Sequence, residues 1–269
     1  MANTILTQED DWSAEISSIV NQLNAICERV SPILESESCP FVTLTYAQAI
    51  DGSIAAGRGG APLRLSSEGS MKMTHHLRAW HDGILVGIGT VISDNPSLNT
   101  RLCEGPSPRP IVLDSDLRCP PQAKFIQLRK AAGLSSPIIV CSTNKRLKCA
   151  DPTEDLQRSA RKQLLEAAGV TVLESRGGDW KSMLIELRKN FGLERIMIEG
   201  GAKVIRSALV EAHLFVHSLV VTIAPLYVGG LVPTLPWDAT RSATRVRVKA
   251  NVTIQGDIVF CAELDNSSA

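Results

Sequence analysis

The sequence predicts an α/β protein with a mostly parallel central sheet covered by helices and a C-terminal antiparallel hairpin. Two observations carry this. Apolar runs of four to six residues, the length of buried strands, alternate with helical patterns along most of the chain. Near the C-terminus the strand-like runs lose their intervening helices, and short links favour antiparallel pairing. A chain of 269 residues with 44% hydrophobic and 21% charged content can bury a large core without disulfide or metal staples.

The elements follow in order. Trp12, Ile16, Ile19, Val20, Leu23, Ile26, Val30 and Ile33 recur at three- and four-residue steps, which predicts an amphipathic helix ending near Pro32. It precedes the first strand signal, so residues 1–39 read as a helical extension lying on a main domain of residues 40–269. Phe41 to Ile50 alternates as a strand. Asp51 to Gly60 holds four glycines in ten positions and reads as a loop. A helix is expected from about Ser67 to Trp80, capped by Ser66 or Ser67 with Glu68 in its first turn. Gly83 to Gly87 is a short strand and Ile88 to Thr90 a turn. Cys103 to Arg109 is a loop, and Pro110 to Asp114 and Pro137 to Val140 are strands. Thr153 to Ala168 is a helix closed by Gly169, and Val170 to Leu173 a strand. Asp179 caps a helix running to Phe191, closed by Gly192. Arg195 to Ile198 is a strand, and Ala202 to Ala212 a helix. Ser218 to Ala224, Arg245 to Lys249 and Ile258 to Glu263 are the late strands.

Composition excludes several classes. Lys plus Arg is 28 and Asp plus Glu is 28, so no nucleic-acid binding through bulk positive charge is expected. The seven cysteines include no C-x-x-C pair, which argues against a disulfide framework or zinc ribbon. His75 and His76 face different sides of their helix, so no metal site is expected. No basic n-region and no apolar run of about 18 residues is present, and a soluble, cytoplasmic protein is expected. The serine-hydrolase elbow, the P-loop and the zinc deaminase pattern are all missing.

In open α/β sheets ligands bind beyond the carboxyl ends of the strands. The segments there are Asp51-Gly52-Ser53, Gly87-Ile88-Gly89-Thr90 with Asp94 to Arg101, Asp114-Ser115-Asp116, and Glu199-Gly200-Gly201-Ala202. The last suggests most. Two glycines let a phosphate approach the backbone, and the helix that follows offers free N–H groups and a positive dipole end. A plain tight strand-to-helix turn has the same sequence. Gly87-Ile88-Gly89 is a weak dinucleotide signal because Ile92 stands where a third glycine is needed.

Taken in order, Phe41 to Gln48, Met73 to Arg78, His81 to Gly87, Gly89-Thr90-Val91, Asp94 to Asn99, Arg109-Pro110-Ile111 and Met197 to Ala202 strongly resemble the riboflavin-pathway 2,5-diamino-6-ribosylamino-4(3H)-pyrimidinone 5′-phosphate reductases. The resemblance is to the stand-alone fungal form and to the reductase half of the bacterial deaminase-reductase, and it runs from about Phe41 to Val228. It implies a three-layer α/β/α dihydrofolate-reductase-like fold, a homodimer, and NADPH, sometimes NADH, as hydride donor. It implies cofactor contacts from Thr90, Asp94, Ser115 and the run Gly200, Gly201, Ala202, Lys203, Val204 and Ile205. It implies substrate contacts from Arg78, Leu98, Arg101 and Glu199, the two arginines reaching the 5′-phosphate. Glu199 beside the ribose and Asp51 near the reacting centre are the implied catalytic carboxylates. Two departures stand out. Bacterial members show S-x-D-G-K where this chain has Ala49 to Ser53, so their lysine is absent. Pro62 and Arg64 stand where bacterial members show Ser and Trp. A pterin reductase of the same fold, or a nucleotide-binding sensor without activity, are the competing readings. The first would leave Arg78 and Arg101 without a phosphate partner.

Overall fold

The computed structural model describes residues 12–56, 64–142, 152–175, 179–230, 232 and 246–264. Helix α1 (Ser13–Glu37) buries Ile16, Ile19, Leu23, Ile26 and Leu34 along one stripe. It does not stop at Pro32, which lies inside it, but at Ser38, where the backbone turns left-handed at φ 54°. Burial of Leu34 and an Arg188 guanidinium donating to the carbonyls of Leu34 and Cys39 support the last turn against the proline's missing N–H.

Strands β1 (Phe41–Ala49), β2 (Gly83–Gly87), β3 (Arg109–Leu113), β4 (Ile138–Ser142), β5 (Thr171–Ser175), β6 (Arg195–Gly200) and β7 (Ser218–Ala224) run parallel. Strands β8 (Val246–Ile254) and β9 (Asp257–Leu264) form the expected antiparallel hairpin, with β9 on β7. The sheet order is β5-β4-β3-β2-β6-β1-β7-β9-β8. Side chains alternate across the pleat, so each strand feeds two cores. Val42, Leu44, Leu85, Ile111 and Ile198 face helices α6 (Trp180–Phe191), α7 (Ala202–Val210) and α8 (Ala212–Phe215). Ile84, Val86, Val112 and Ile139 face the other way, toward α3 (Ile88–Asp94), α4 (Lys124–Ala131) and α5 (Pro152–Ala167). On that second face Phe41, Met197, Val220 and Cys261 pack under α1 and α2 (Glu68–Trp80). Three layers result, as expected.

Three local expectations fail. Residues 88–90 are not a turn but begin α3, because Ile88 and Val91 are buried one turn apart on a helix too short to show a period. Helix α4 has no counterpart in the sequence reading, since half of its eight residues are polar and only Phe125, Ile126 and Arg129 are buried. The helix expected over 202–212 breaks at Glu211 into α7 and α8. The first carboxyl-end loop has a lock of its own. Buried Ser53, where the bacterial pattern has lysine, accepts from the Gly230 N–H at 2.9 Å. Pro62 and Cys149 lie outside the described residues; the other six cysteines are free thiols.

Candidate active site

All seven parallel strands end on one edge, and the sheet order brings β2, β6 and β1 together there. The register between β2 and β6 pairs Leu85 with Ile198 but Val86 with Gly200. Glu199 is therefore the extra residue of a bulge, and a bulge re-aims a side chain out of the ladder. Its carboxylate meets Arg78 from α2. Arg78 Nε donates to Glu199 Oε2 at 2.9 Å, and Nη2 donates to Oε1. The Arg78 side chain is 8% exposed and that of Glu199 21%. Burial alone would lower the Arg78 pKa, but the charge and hydrogen bonds of Glu199 outweigh it, and the guanidinium is held more firmly protonated than usual.

Arg78 Nη1 also donates to the Asn99 carbonyl at 3.1 Å. Asn99 Oδ1 accepts from Arg101 Nη1 at 3.3 Å, and the Arg101 backbone N–H donates to His75 Nδ1 at 3.0 Å. Thus Arg78, Arg101 and Glu199 are brought together, but the fork of Arg78 is engaged by Glu199, and the exposed Arg101 is the freer of the two cations. The side chain of Leu98 is buried in the core, with its backbone left-handed at φ 47°. It shapes the turn from inside, so its side chain lines no open surface. Asn95 of the same motif is also structural: its Oδ1 accepts from the Lys124 N–H and caps the start of α4.

The glycine turn follows Glu199 directly. Gly200 has φ 152° and Gly201 φ 49°, both in the region that favours glycine. A Cβ on Gly201 would lie 2.7 Å from Thr90 Oγ1, whereas one on Gly200 would meet nothing within 4 Å. The backbone is bare on one side and pressed by Thr90 on the other. Thr90 and Asp94 lie four residues apart on α3, and Asp94 is exposed. Ala202 is half-buried and Lys203 exposed, but the side chains of Val204 and Ile205 point into the core, so only their backbone can meet a ligand. Beyond the turn lies a cleft of about 340 Å³, lined among others by Ser115, Cys141, Ser175, Trp180, Lys203 and Ser207. Ser115 is exposed at its rim, and its carbonyl accepts from Arg158 of α5.

Asp51 is held by partners outside this group. Its Oδ1 accepts from the Ser53 N–H at 3.1 Å, and its Oδ2 from the N–H groups of Val228 and Gly229 at 3.1 and 2.6 Å. These bonds, that of Gly229 foremost, hold its carboxyl below the usual carboxylate range. A proton donor needs the opposite shift. Asp51 thus ties two loops together as an ionised anchor.

Sequence reasoning left the part of His75 unread. Its signal was present: His75 and Arg78 are three apart on one helix and share a face. Among the described residues no cluster of His, Cys, Asp or Glu could hold a metal ion, and no helix is long and apolar enough to cross a membrane.

A mostly parallel α/β sheet with helices on both faces is a dihydrofolate-reductase-like architecture, and the glycine turn, helix start and charged pair at its carboxyl edge form a surface that can receive a phosphorylated ligand. The model of the RibD C-terminal domain family matches residues 40–260, and the chain belongs to that family. It is 35% identical over 243 residues to the 2,5-diamino-6-ribosylamino-4(3H)-pyrimidinone 5′-phosphate reductase of Candida glabrata, covering 84% of this chain and 90% of the relative. Identity to the reductase of the same name from Saccharomyces cerevisiae is 32% over 234 residues, covering 86% and 89%. The solved structure of the riboflavin biosynthesis reductase Rib7 from Saccharomyces cerevisiae superposes with a TM-score of 0.63 at 30% identity, covering 85% of this chain and 91% of that one.

Proposed function

We propose that this chain is a nicotinamide-dependent reductase of riboflavin biosynthesis. It reduces the ribosyl side chain of 2,5-diamino-6-ribosylamino-4(3H)-pyrimidinone 5′-phosphate to ribityl. The carrying observation is the adjacency of the Glu199 bulge, gripped by Arg78, to the bare Gly200-Gly201 turn at the start of α7. One stretch of chain thereby offers a surface for a diphosphate and a polar, charged wall beside it. The names of the fungal relatives, which this chain matches over most of their length, support the same substrate.

The glycine turn and Thr90 fit a dinucleotide. The open space at Gly200 allows close approach, and Thr90 limits the opposite side. Gly200 to Ile205 would hold the diphosphate through backbone, with Thr90 and Asp94 beside it and Ser115 and Lys203 along the cleft. When bound, the cofactor supplies a hydride to C1′ of the open-chain imine. The chain's own residues orient the substrate. Arg101 meets the 5′-phosphate, the Arg78–Glu199 pair fixes the ribose end, and Asp51 holds the neighbouring loops. The imine nitrogen gains one proton as the hydride arrives, and this reading takes it from solvent water. NADPH is the proposed donor, and the resemblance to the reductase family further suggests a cytoplasmic homodimer, testable by sedimentation. Purified protein mixed with the pyrimidine phosphate and NADPH is expected to oxidise the cofactor and yield the ribityl product. Absence of turnover with either NADPH or NADH overturns the proposal.

A further inference from the structure

His75 is buried completely, yet its surroundings are unusual for a core residue. It sits on α2 one turn before Arg78 and accepts the Arg101 N–H through Nδ1 at 3.0 Å. Accepting there fixes the proton on Nε2, and that buried nitrogen has no hydrogen-bond partner. Burial first, then the charges of Arg78 and Arg101, push its pKa down to about 4, so the ring stays neutral between two guanidiniums. A neutral acceptor is what this position requires, because a protonated ring would present a donor to the donor of Arg101.

The contacts close into a ring. His75 holds the Arg101 backbone, Arg101 Nη1 holds the Asn99 side chain, the Asn99 carbonyl takes Arg78 Nη1, and Arg78 returns to the helix that carries His75. Both ends of the 99–101 segment are thereby clamped to one face of α2. Just before it, Leu98 is held left-handed with its side chain in the core. The Arg101 side chain, bonded to Asn99 through Nη1, is the exposed cation that this fixed segment presents to solvent.

We infer that His75 is a positioning residue for substrate: its neutral Nδ1 fixes the Arg101 backbone and so sets where the Arg101 guanidinium meets a phosphorylated ligand. This rests on the reading of Arg101 as a phosphate contact in the proposed reductase. It adds a residue that touches neither substrate nor cofactor and acts through another.

The test compares three variants. His75→Asn places an oxygen near the position of Nδ1, His75→Gln reaches toward the position of Nε2, and His75→Leu removes both. Hydrogen exchange at the Arg101 amide is measured by mass spectrometry on a peptide spanning residues 97–103, alongside steady-state kinetics with the pyrimidine phosphate and NADPH. Exchange of that amide is expected to quicken at least tenfold in His75→Leu and His75→Gln and to stay near wild type in His75→Asn. The KM for the pyrimidine phosphate should rise about tenfold in the first two, with kcat within twofold and the KM for NADPH unchanged. If His75→Leu does not fold, the Asn-against-Gln contrast carries the same test. Equal behaviour of Asn and Gln, or unchanged exchange where Nδ1 is lost, overturns the inference. Failure of the underlying reading looks different. Arg101→Ala would leave the KM for the phosphorylated substrate unchanged while the exchange pattern of the His75 variants still held.

Discussion

Arg78 and Glu199 meet in a two-point pair although 121 positions separate them in sequence. The partner of the arginine comes from a bulge in β6, and the arginine from the last turn of the helix that leads into β2. Strand β6 lies beside β2 in the sheet, which brings the two within reach. The pair therefore couples the packing of the sheet centre to the wall of the proposed substrate site.

Removing either partner leaves a charge partly buried without its counterpart. Such losses cost roughly 3–5 kcal/mol in full burial. Glu199 keeps 21% of its side chain exposed, so about 2–3 kcal/mol is expected for Arg78→Ala. Glu199→Gln keeps the shape but not the charge, and should cut kcat/KM by about a hundredfold, or about 2.7 kcal/mol of transition-state stabilisation. Urea unfolding and steady-state kinetics check the two halves. Wild-type rates in Glu199→Gln would remove this carboxylate from the site.

Gly201 faces a double constraint, its φ of 49° and the Thr90 hydroxyl 2.7 Å from where a Cβ would stand. Gly201→Ala is expected to raise the KM for NADPH at least tenfold and to lower stability by about 1–3 kcal/mol. Gly201→Ala with Thr90→Ala removes the clash but not the strain, so recovery should be partial. Asp94→Ala, on the Thr90 face of α3, should weaken cofactor binding without changing stability. Fluorescence titration with NADPH reads all three, and unchanged affinity in each would clear this turn of the role.

The sheet was legible because buried parallel strands write themselves as short apolar runs, and β2 and β7 match their expected bounds residue for residue. The cap at Asp179 and the stop at Gly192 were equally visible, since each residue type has one dominant reason to stand there. What escaped was the work done by tertiary partners. Pro32 lies within α1, and Arg188, far away in sequence, donates to the Leu34 carbonyl in the turn that follows it. Leu98 stood in a motif that resemblance assigned to substrate, yet its side chain is core. Asp51 appeared as a carboxylate near chemistry, and only its three N–H partners show which protonation state it keeps. Sequence names the residue types on an edge; which lone pairs are already spent depends on the fold.

Asp51 should be silent in the pH dependence of the reaction. Three backbone N–H groups hold its carboxyl ionised, so it should contribute no titration to the rate between pH 5 and 8. Asp51→Asn keeps one acceptor oxygen and loses the other, which frees either the Ser53 or the Val228 and Gly229 side of the lock. A tenfold fall in kcat/KM is expected, with the shape of its pH profile unchanged. Loss of an acidic limb in the variant would instead identify Asp51 as a titrating catalyst.

Acid sensitivity should come from buried histidines. His81 is fully buried, with its Nδ1–H donating to the Leu77 carbonyl and its Nε2 accepting from the Thr43 hydroxyl. Burial foremost pushes its pKa down to about 4, and burial does the same for His75 and His217. The unfolded chain, with histidines near 6.5, takes up protons between pH 6.5 and 4 that the folded chain refuses. Stability from these groups is therefore complete above about pH 6.5 and drains away as pH falls through that window. At pH 5 the loss from His81 alone is about 2 kcal/mol. Urea unfolding at pH 7.5 and 5.0 should show the fall, and His81→Gln, which cannot titrate, should lose about 2 kcal/mol less across the same interval. Equal losses in wild type and variant would show that the buried ring is not the source.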